Sequence, residues 1–157
     1  MLINDWSASP RRLPIHNPQK LNDMTTKRDT LIVRRTSTGL GLCTTEPITP
    51  GVRIVEYTGP RISREEADKS MGKYPMDIDE RRVIDGSPRT NIARYINHSC
   101  KPNAEAISCR GRVWIWSKAM IEAGGAITIH YGDEYFNEYI KPRGCRCAGC
   151  RVGEKAS

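Results

Sequence analysis

Glycine and proline interrupt this sequence too often for it to form a helical bundle. The 157 residues include 13 Gly and 10 Pro, and the stretches between them are short and strand-like. A chain of this length is about the size of one compact domain. We therefore predict a mainly β protein, built from several small curved sheets with only short helices.

The strand signals are local and can be placed along the chain. Strand-like composition or alternation occurs at residues 31–33, 52–57, 83–85, 104–109, 112–117 and 126–131. Arg110-Gly111 predicts a tight hairpin between two of these segments. Residues 36–42, with two glycines, predict a turn that lets the backbone approach a ligand closely.

Helical signals are fewer. Ser63 followed by Glu66 matches a capping box, which predicts a short helix that reaches about Lys69. Residues 90–96 predict a single helical turn. No apolar run approaches the roughly 20 residues that a bilayer-spanning helix needs. The first residues lack the pattern of a secretion signal. We expect a soluble, intracellular protein without a membrane partner.

The positive charge is concentrated near the N-terminus. Residues 1–64 hold ten Lys or Arg against five Asp or Glu, and residues 65–157 hold fifteen against thirteen, giving the net charge of +7. Residues 1–29 are interpreted as a basic arm, for which non-specific contact with nucleic acid is one hypothesis and a solvated tail without a partner is the other.

Three of the six cysteines fall within six residues near the C-terminus, at Cys145, Cys147 and Cys150. Such tight spacing favours a metal over disulfides, and tetrahedral zinc requires a fourth ligand. Cys100 is our candidate for that ligand. Cys43 and Cys109 lie beside strand-like stretches, where a cysteine is more typically a small buried apolar residue.

Four blocks in this order resemble the SET-domain protein lysine methyltransferases. They are residues 38–42 (Thr-Gly-Leu-Gly-Leu), 56–59 (Glu-Tyr-Thr-Gly), 91–100 (Asn-Ile-Ala-Arg-Tyr-Ile-Asn-His-Ser-Cys) and 127–133 (Ile-Thr-Ile-His-Tyr-Gly-Asp). The cysteine run that follows is similar to the family's post-SET zinc site, whose fourth ligand would be Cys100. The resemblance implies a SET fold of small sheets with a threaded C-terminal segment, a SET domain at 30–136 and a post-SET segment at 137–157.

The resemblance also implies roles for individual residues. Tyr131 and Tyr57 correspond to the catalytic tyrosine and the second tyrosine of the lysine channel. Contacts to S-adenosylmethionine are implied for nine further residues: Thr38, Gly39, Leu40, Tyr74, Arg94, Asn97, His98, Tyr135 and Phe136. One structural zinc is implied at Cys100, Cys145, Cys147 and Cys150.

The implied activity is transfer of a methyl group from S-adenosylmethionine to a lysine of a basic protein, such as a histone or a DNA-packaging protein. An acidic run of Asp77, Asp79 and Glu80 would complement a basic substrate. The implied location is the cytoplasm, the chromosome or a host nucleus. Two alternatives are a catalytically silent SET-like module that binds peptide or nucleic acid, and a small zinc-stabilised nucleic-acid binder. The second leaves block 91–100 without an explanation.

Overall fold

The computed structural model describes residues 28–70 and 74–154. Most of the predicted basic arm therefore lies outside the described residues. The strands within them are β1 (Leu31–Thr36), β2 (Gly39–Thr44), β3 (Arg53–Tyr57), β4 (Arg61–Ser63), β5 (Pro75–Asp77), β6 (Arg82–Asp85), β7 (Asn97–His98), β8 (Ala104–Cys109), β9 (Arg112–Ser117) and β10 (Thr128–Ile129).

These strands form four small sheets in the described part of the chain. β1 pairs with β2, β3 pairs with β9 and β9 with β8, β4 and β5 flank β6, and β10 pairs with β7. All pairs are antiparallel except β7 with β10. The prediction of a mainly β protein with several small sheets is confirmed, while threading of the C-terminal segment stays a prediction.

The β8–β9 hairpin follows directly from its turn residues. Arg110 and Gly111 have φ values of 51° and 74°, as a two-residue type I′ turn requires. The capping box also forms. The Ser63 amide donates to the Glu66 carboxylate at 2.8 Å, and the Glu66 amide donates to the Ser63 hydroxyl at 3.2 Å. Helix α1 (Arg64–Ser70) begins immediately after this cap.

The predicted turn at residues 36–42 was too long. The reversal itself is confined to Ser37 and Thr38, and the residues from Gly39 onward form β2. This strand is stabilised by a continuous antiparallel register with β1, from Leu31 opposite Thr44 to Thr36 opposite Gly39. Its later residues are buried, which the glycines concealed in the sequence pattern.

The last predicted strand was too long. Only Thr128–Ile129 pair as β10, and Ala126 makes an isolated bridge with Cys43. The chain then becomes helical, which the sequence did not predict. Its segments are α2 (Asp133–Tyr135), a π-helical turn (Phe136–Ile140), a 3-10 turn (Lys141–Arg143) and α3 (Ala148–Glu154).

One apolar core joins the separate sheets. Its members are buried residues from most of the strands and from the 3-10 turn at Ile92–Tyr95: Leu31, Leu42, Ile48, Ile54, Tyr57, Ile78, Ile84, Ala93, Ile96, Ala104, Val113, Ile115, Ile121, Ile127 and Ile129. Several of these residues lie next to predicted site residues in sequence. The core therefore fixes the backbone from which the site is built. No described helix combines the length and apolar character needed to cross a bilayer.

Candidate active site and metal centre

Two segments that are distant in sequence meet at the parallel pair of β7 and β10. Asn97 lies opposite Thr128, and His98 lies opposite Ile129. The pairing continues beyond the strands, because the Ser99 amide donates to the Ile129 carbonyl at 2.9 Å. Tyr131 follows β10 by two residues and is thereby brought beside His98, as the resemblance predicted.

The side chain of Tyr131 is anchored at its far end. Its hydroxyl donates a hydrogen bond of 2.6 Å to the carbonyl of Ile96, a residue that is only 2% exposed. Burial raises the pKa of the phenol, and interactions with Tyr135, Tyr57 and Tyr74 raise it further. Tyr131 is therefore a neutral hydroxyl at physiological pH, although 38% of the residue is exposed.

Tyr57 is held more deeply. The residue is 5% exposed, and its hydroxyl donates to the Tyr74 carbonyl at 3.0 Å. Burial raises the pKa of Tyr57 to about 12, against an opposing effect of the Arg94 charge. A Cβ atom at Gly86 would lie 2.2 Å from the Tyr57 hydroxyl, so only glycine leaves room for this ring.

Arg94 and Tyr74 form a stacked pair next to Tyr57. The Arg94 guanidinium carbon lies 4.0 Å from the centroid of the Tyr74 ring, in cation–π geometry. Its Nη1 atom donates to the carbonyl of Ser87. Its Nε atom is buried and has no hydrogen-bond partner among the described residues. Tyr74 thus contacts both Arg94 and Tyr57, one of the two predicted channel tyrosines.

The β1–β2 turn reaches this region through Asn97. The Asn97 side-chain amide donates to the Leu40 carbonyl at 3.0 Å, while the Leu40 side chain is 54% exposed. A Cβ atom at Gly41 would lie 3.1 Å from the same Asn97 nitrogen. The second glycine of the block therefore permits close packing against β7.

A cleft of about 380 Å³ opens where these elements meet. Four of the eleven residues predicted for catalysis or donor binding line it, namely Thr38, Asn97, His98 and Tyr131. Its other wall is formed by Tyr139, Ile140, Arg143, Gly144, Arg146 and two of the predicted metal ligands, Cys145 and Cys147. Its size lies within the usual range of small-molecule sites, roughly 300–1,000 Å³. The other seven of these eleven residues do not line it: Gly39, Leu40, Tyr57, Tyr74, Arg94, Tyr135 and Phe136.

Two of those seven residues pack against rings that line the cleft. The Tyr135 ring lies 5.6 Å from that of Tyr131, and the Phe136 ring lies 5.2 Å from that of His98. Tyr135 also packs at 4.9 Å against Tyr139, which connects the two walls. These distances are measured between ring centroids and lie in the range of favourable aromatic pairs.

The wall formed by residues 139–146 was missed by the sequence analysis. Tyr139, Ile140, Arg143 and Arg146 match no motif, but a usable signal was present. Cys145 and Cys147 were predicted to meet Cys100, which is two residues from His98. The chain that leads into the cysteine run must therefore pass beside His98.

The four cysteines predicted as ligands come together in the structure. The sulfur atoms of Cys100, Cys145, Cys147 and Cys150 all lie within 4.8 Å of one another. Cys100 Sγ is 3.7 Å from Cys145 Sγ and 3.5 Å from Cys150 Sγ. A tetrahedral ion with Zn–S bonds of about 2.3 Å places its sulfurs roughly 3.8 Å apart, so the group fits zinc.

The local electrostatics favour a thiolate at Cys147. Burial acts to raise the pKa of this thiol, but hydrogen bonds from the Cys100 and Cys150 backbones and from neighbouring thiols lower it to about 6. One of these bonds is 3.4 Å long, from the Cys100 amide to the Cys147 sulfur. Thiolates are the form that binds metal. Cys43 and Cys109 lie outside this group; Cys43 is buried as predicted, whereas Cys109 is exposed at the β8–β9 hairpin.

The acidic run is largely paired within the chain. Asp77 forms an ion pair with Arg64 at 2.9 Å, and Asp79 forms one with Arg82 at 2.6 Å. Asp79 also accepts hydrogen bonds from the amides of Arg81 and Arg82. These contacts give two of the three acids a local structural role.

Sequence comparison identifies the domain that carries this geometry. A sequence model of the SET domain matches residues 39–132, more than half of the chain. The chain belongs to the SET-domain family. The match contains β2 through β10 together with Tyr57, Arg94, Asn97, His98 and Tyr131. The cysteine run and the second wall of the cleft follow its end.

The relatives of this SET domain are much longer proteins. Histone-lysine N-methyltransferase set-2 of Caenorhabditis elegans is 41% identical over 106 residues, covering 59% of this chain and 7% of its own length. Histone-lysine N-methyltransferase Set2 of Drosophila melanogaster is 32% identical over 76% of this chain and 6% of its own. Histone-lysine N-methyltransferase EHMT1 of Homo sapiens is 30% identical over 80% of this chain and 11% of its own.

Proposed function

We propose that this SET domain is a protein lysine N-methyltransferase that uses S-adenosylmethionine as the methyl donor. The observation that carries the proposal is the anchoring of Tyr131 at the cleft, by its amide to His98 and by its hydroxyl to Ile96. The printed names of the three relatives above, each a histone-lysine N-methyltransferase, point in the same direction.

The reaction requires a neutral amine in line with an electrophilic methyl group. S-adenosylmethionine, when bound, supplies that methyl on a sulfonium. A lysine amine has a solution pKa of about 10.4, and an apolar channel lowers it by disfavouring the ammonium form. A channel walled by neutral tyrosines suits this need, since Tyr131 and Tyr57 both have raised pKa values and introduce no negative charge. Positioning then supplies most of the rate enhancement.

The residues of the cleft are suited to hold the donor. Asn97 and His98 would contact it from β7, and Thr38 would contact it from the β1–β2 turn. The backbone of Gly39 and Leu40, at the start of β2, would contact it from beside the cleft. Tyr135 and Phe136 would act by packing on Tyr131 and His98 rather than by lining the cleft. Arg94 and Tyr74 would contribute to donor binding from the neighbouring cluster with Tyr57. The N–H of the buried Arg94 Nε atom has no acceptor among the described residues.

The cysteine group is proposed as one structural zinc site in a post-SET segment at 137–157, after a SET domain at 30–136. Four thiolate ligands leave no open position, which is the arrangement of structural rather than catalytic zinc. The ion would fasten Cys145–Cys150 to Cys100 and so hold the second wall of the cleft against His98.

The proposed substrate is a basic protein, either a histone or a histone-like DNA-packaging protein. The relatives' names include histones, and a cationic tail is the natural partner of an acidic surface. Glu80 is the member of the acidic run for which the described residues show no ion pair. A chromosome-associated location and contact of residues 1–29 with nucleic acid belong to the same proposal.

The test is incubation with labelled S-adenosylmethionine and a panel of histones, bacterial DNA-packaging proteins and cell extract, followed by mapping of the modified lysine. We expect label in a lysine of a basic protein. Labelling of none of these proteins, by a chain that binds the donor, would contradict the proposal and favour the silent binding module.

A further inference from the structure

The imidazole of His98 lies between the cysteine group and Tyr131. Its Nε2 atom is 3.4 Å from Cys100 Sγ, and its Nδ1 atom accepts a hydrogen bond of 3.3 Å from the Tyr131 amide. We propose that His98 is a positioning residue that couples metal binding at the cysteines to the placement of Tyr131. This inference rests on the proposed function, because it concerns the tyrosine assigned to catalysis there.

The contacts fix the tautomer of the ring. A backbone N–H can only donate, so the amide of Tyr131 requires Nδ1 to be the acceptor. The proton of the neutral ring must then be on Nε2, from which it points at Cys100 Sγ. His98 therefore donates to a metal-ligand sulfur with one nitrogen and accepts from the backbone of Tyr131 with the other.

The ring has little freedom to leave this position. His98 is 8% exposed and its backbone is held by pairing with Ile129. Its ring lies 4.9 Å from that of His130, 5.2 Å from that of Phe136 and 5.5 Å from that of Tyr131. A ring packed on these sides transmits a shift of Cys100 to the Tyr131 backbone instead of absorbing it by rotation.

An N–H group that donates a hydrogen bond to a metal-bound thiolate helps to orient that ligand and adjusts its affinity for the metal. Loss of such a partner typically lowers metal affinity by about 10- to 100-fold. The same loss at His98 would also free the Tyr131 amide. A single substitution of His98 should therefore weaken both metal affinity at the cysteines and the hydrogen bond of the Tyr131 amide. Substitution of a residue that only contacts the methyl donor would weaken neither.

The experiment measures both properties on the full chain without donor or substrate. Cobalt affinity is obtained from the thiolate-to-cobalt absorption band in competition with a chelator, and exchange of the Tyr131 amide is followed by NMR in the cobalt-free and zinc-loaded chain. For His98→Phe we expect cobalt affinity to fall by about 10- to 100-fold and the Tyr131 amide of the zinc-loaded chain to exchange faster. For His130→Phe, a substitution in the same aromatic cluster without a cysteine contact, we expect neither change.

A pair of cysteine variants tests whether a change at the metal site affects the placement of Tyr131. Cys100→Ser and Cys150→Ser each remove one sulfur from the group, but among the described residues His98 has a hydrogen bond to Cys100 and to no other cysteine of the group. With zinc at saturation, Cys100→Ser should speed exchange of the Tyr131 amide more than Cys150→Ser does. Equal effects of the two variants would overturn the coupling.

His98→Gln covers the case in which His98→Phe does not fold, since glutamine offers an amide donor near the position of Nε2. We expect it to retain cobalt affinity within a few-fold. Unchanged affinity in His98→Phe, or a full loss in His98→Gln, would overturn the proposal. A chain that transfers no methyl group can still give the expected result, so this test and that of the proposed function fail independently.

Discussion

The hydroxyl of Tyr131 is hydrogen-bonded to the backbone carbonyl of Ile96, across 35 residues of sequence. Ile96 is a buried core residue and immediately precedes β7. The orientation of the phenol is therefore set by the same packed segment that carries Asn97 and His98.

Tyr131→Phe tests this anchoring. The substitution removes the hydroxyl and leaves the Ile96 carbonyl without its partner, which should lower the free energy of unfolding by about 1–3 kcal/mol. We expect kcat/KM for methyl transfer to fall on the order of 100-fold, as misplacement of a reacting group by about 1 Å can do. Affinity for the donor should be nearly unchanged. Tyr95→Phe is the matched control, because that ring packs against the core; equal kcat/KM in the two variants would contradict the role of Tyr131.

Gly86→Ala should displace Tyr57. The added methyl would lie 2.2 Å from the Tyr57 hydroxyl, and the ring is too buried to move without cost. We expect a loss of about 1–3 kcal/mol in the free energy of unfolding, typical of overpacking, together with weaker methyl transfer. Gly149→Ala, which meets only the flexible side chain of Lys101 at 3.4 Å, serves as the control in denaturant titrations. If Gly86→Ala has the same free energy of unfolding as the unaltered chain, the close approach of residue 86 to the Tyr57 hydroxyl does not require glycine.

Alkaline pH should destabilise the fold partly through Tyr57. Its pKa is raised to about 12 in the folded state, against about 10 in an unfolded chain. The unfolded state therefore loses the proton first, and the stability present below pH 10 declines as the pH rises toward 12, by at most about 1.4 kcal/mol per pH unit for this group. Urea titrations between pH 9 and pH 11.5 measure the slope. The slope should be smaller in Tyr57→Phe, and an identical slope would exclude Tyr57 as a contributor.

Removal of metal should disorder the second wall of the cleft. We expect a strong chelator to release one zinc per chain and to cost both stability and donor affinity, because thiolate coordination is part of the folding free energy. Cys145→Ser should reproduce the effect, whereas Cys109→Ser, at the exposed end of β8, should leave the zinc content unchanged. A chain that lacks metal and still binds donor at full affinity would refute the structural role of the ion.

Local interactions were predicted well from the sequence. The Arg110-Gly111 hairpin and the Ser63–Glu66 cap depend on residues a few positions apart, and both form as expected. The convergence of four cysteines was also predicted, because tetrahedral zinc requires a fourth ligand and both the strand-like neighbours of Cys43 and Cys109 and the resemblance to SET domains pointed to Cys100.

Long-range features were less accessible. The β7–β10 pair contains two residues per strand, too few for a periodic signal, and only the resemblance to SET domains indicated it. Most residues of the cleft wall at 139–146 are of types that, without a motif, predict only an exposed surface or a packing contact. The pairing of Asp77 with Arg64 requires the end of β5 and the start of α1, which directly follows β4, to meet beside β6, and no local pattern encodes that.

The second wall of the cleft carries two exposed cationic residues, Arg143 and Arg146. Trypsin cleaves after arginine; a cut after Arg143 would separate the cysteine run from the strands that precede it, and a cut after Arg146 would divide the run between Cys145 and Cys147. A molecule lodged in the cleft would shield these bonds. Limited digestion therefore offers a direct gauge of cleft occupancy, one that needs neither a known substrate nor turnover.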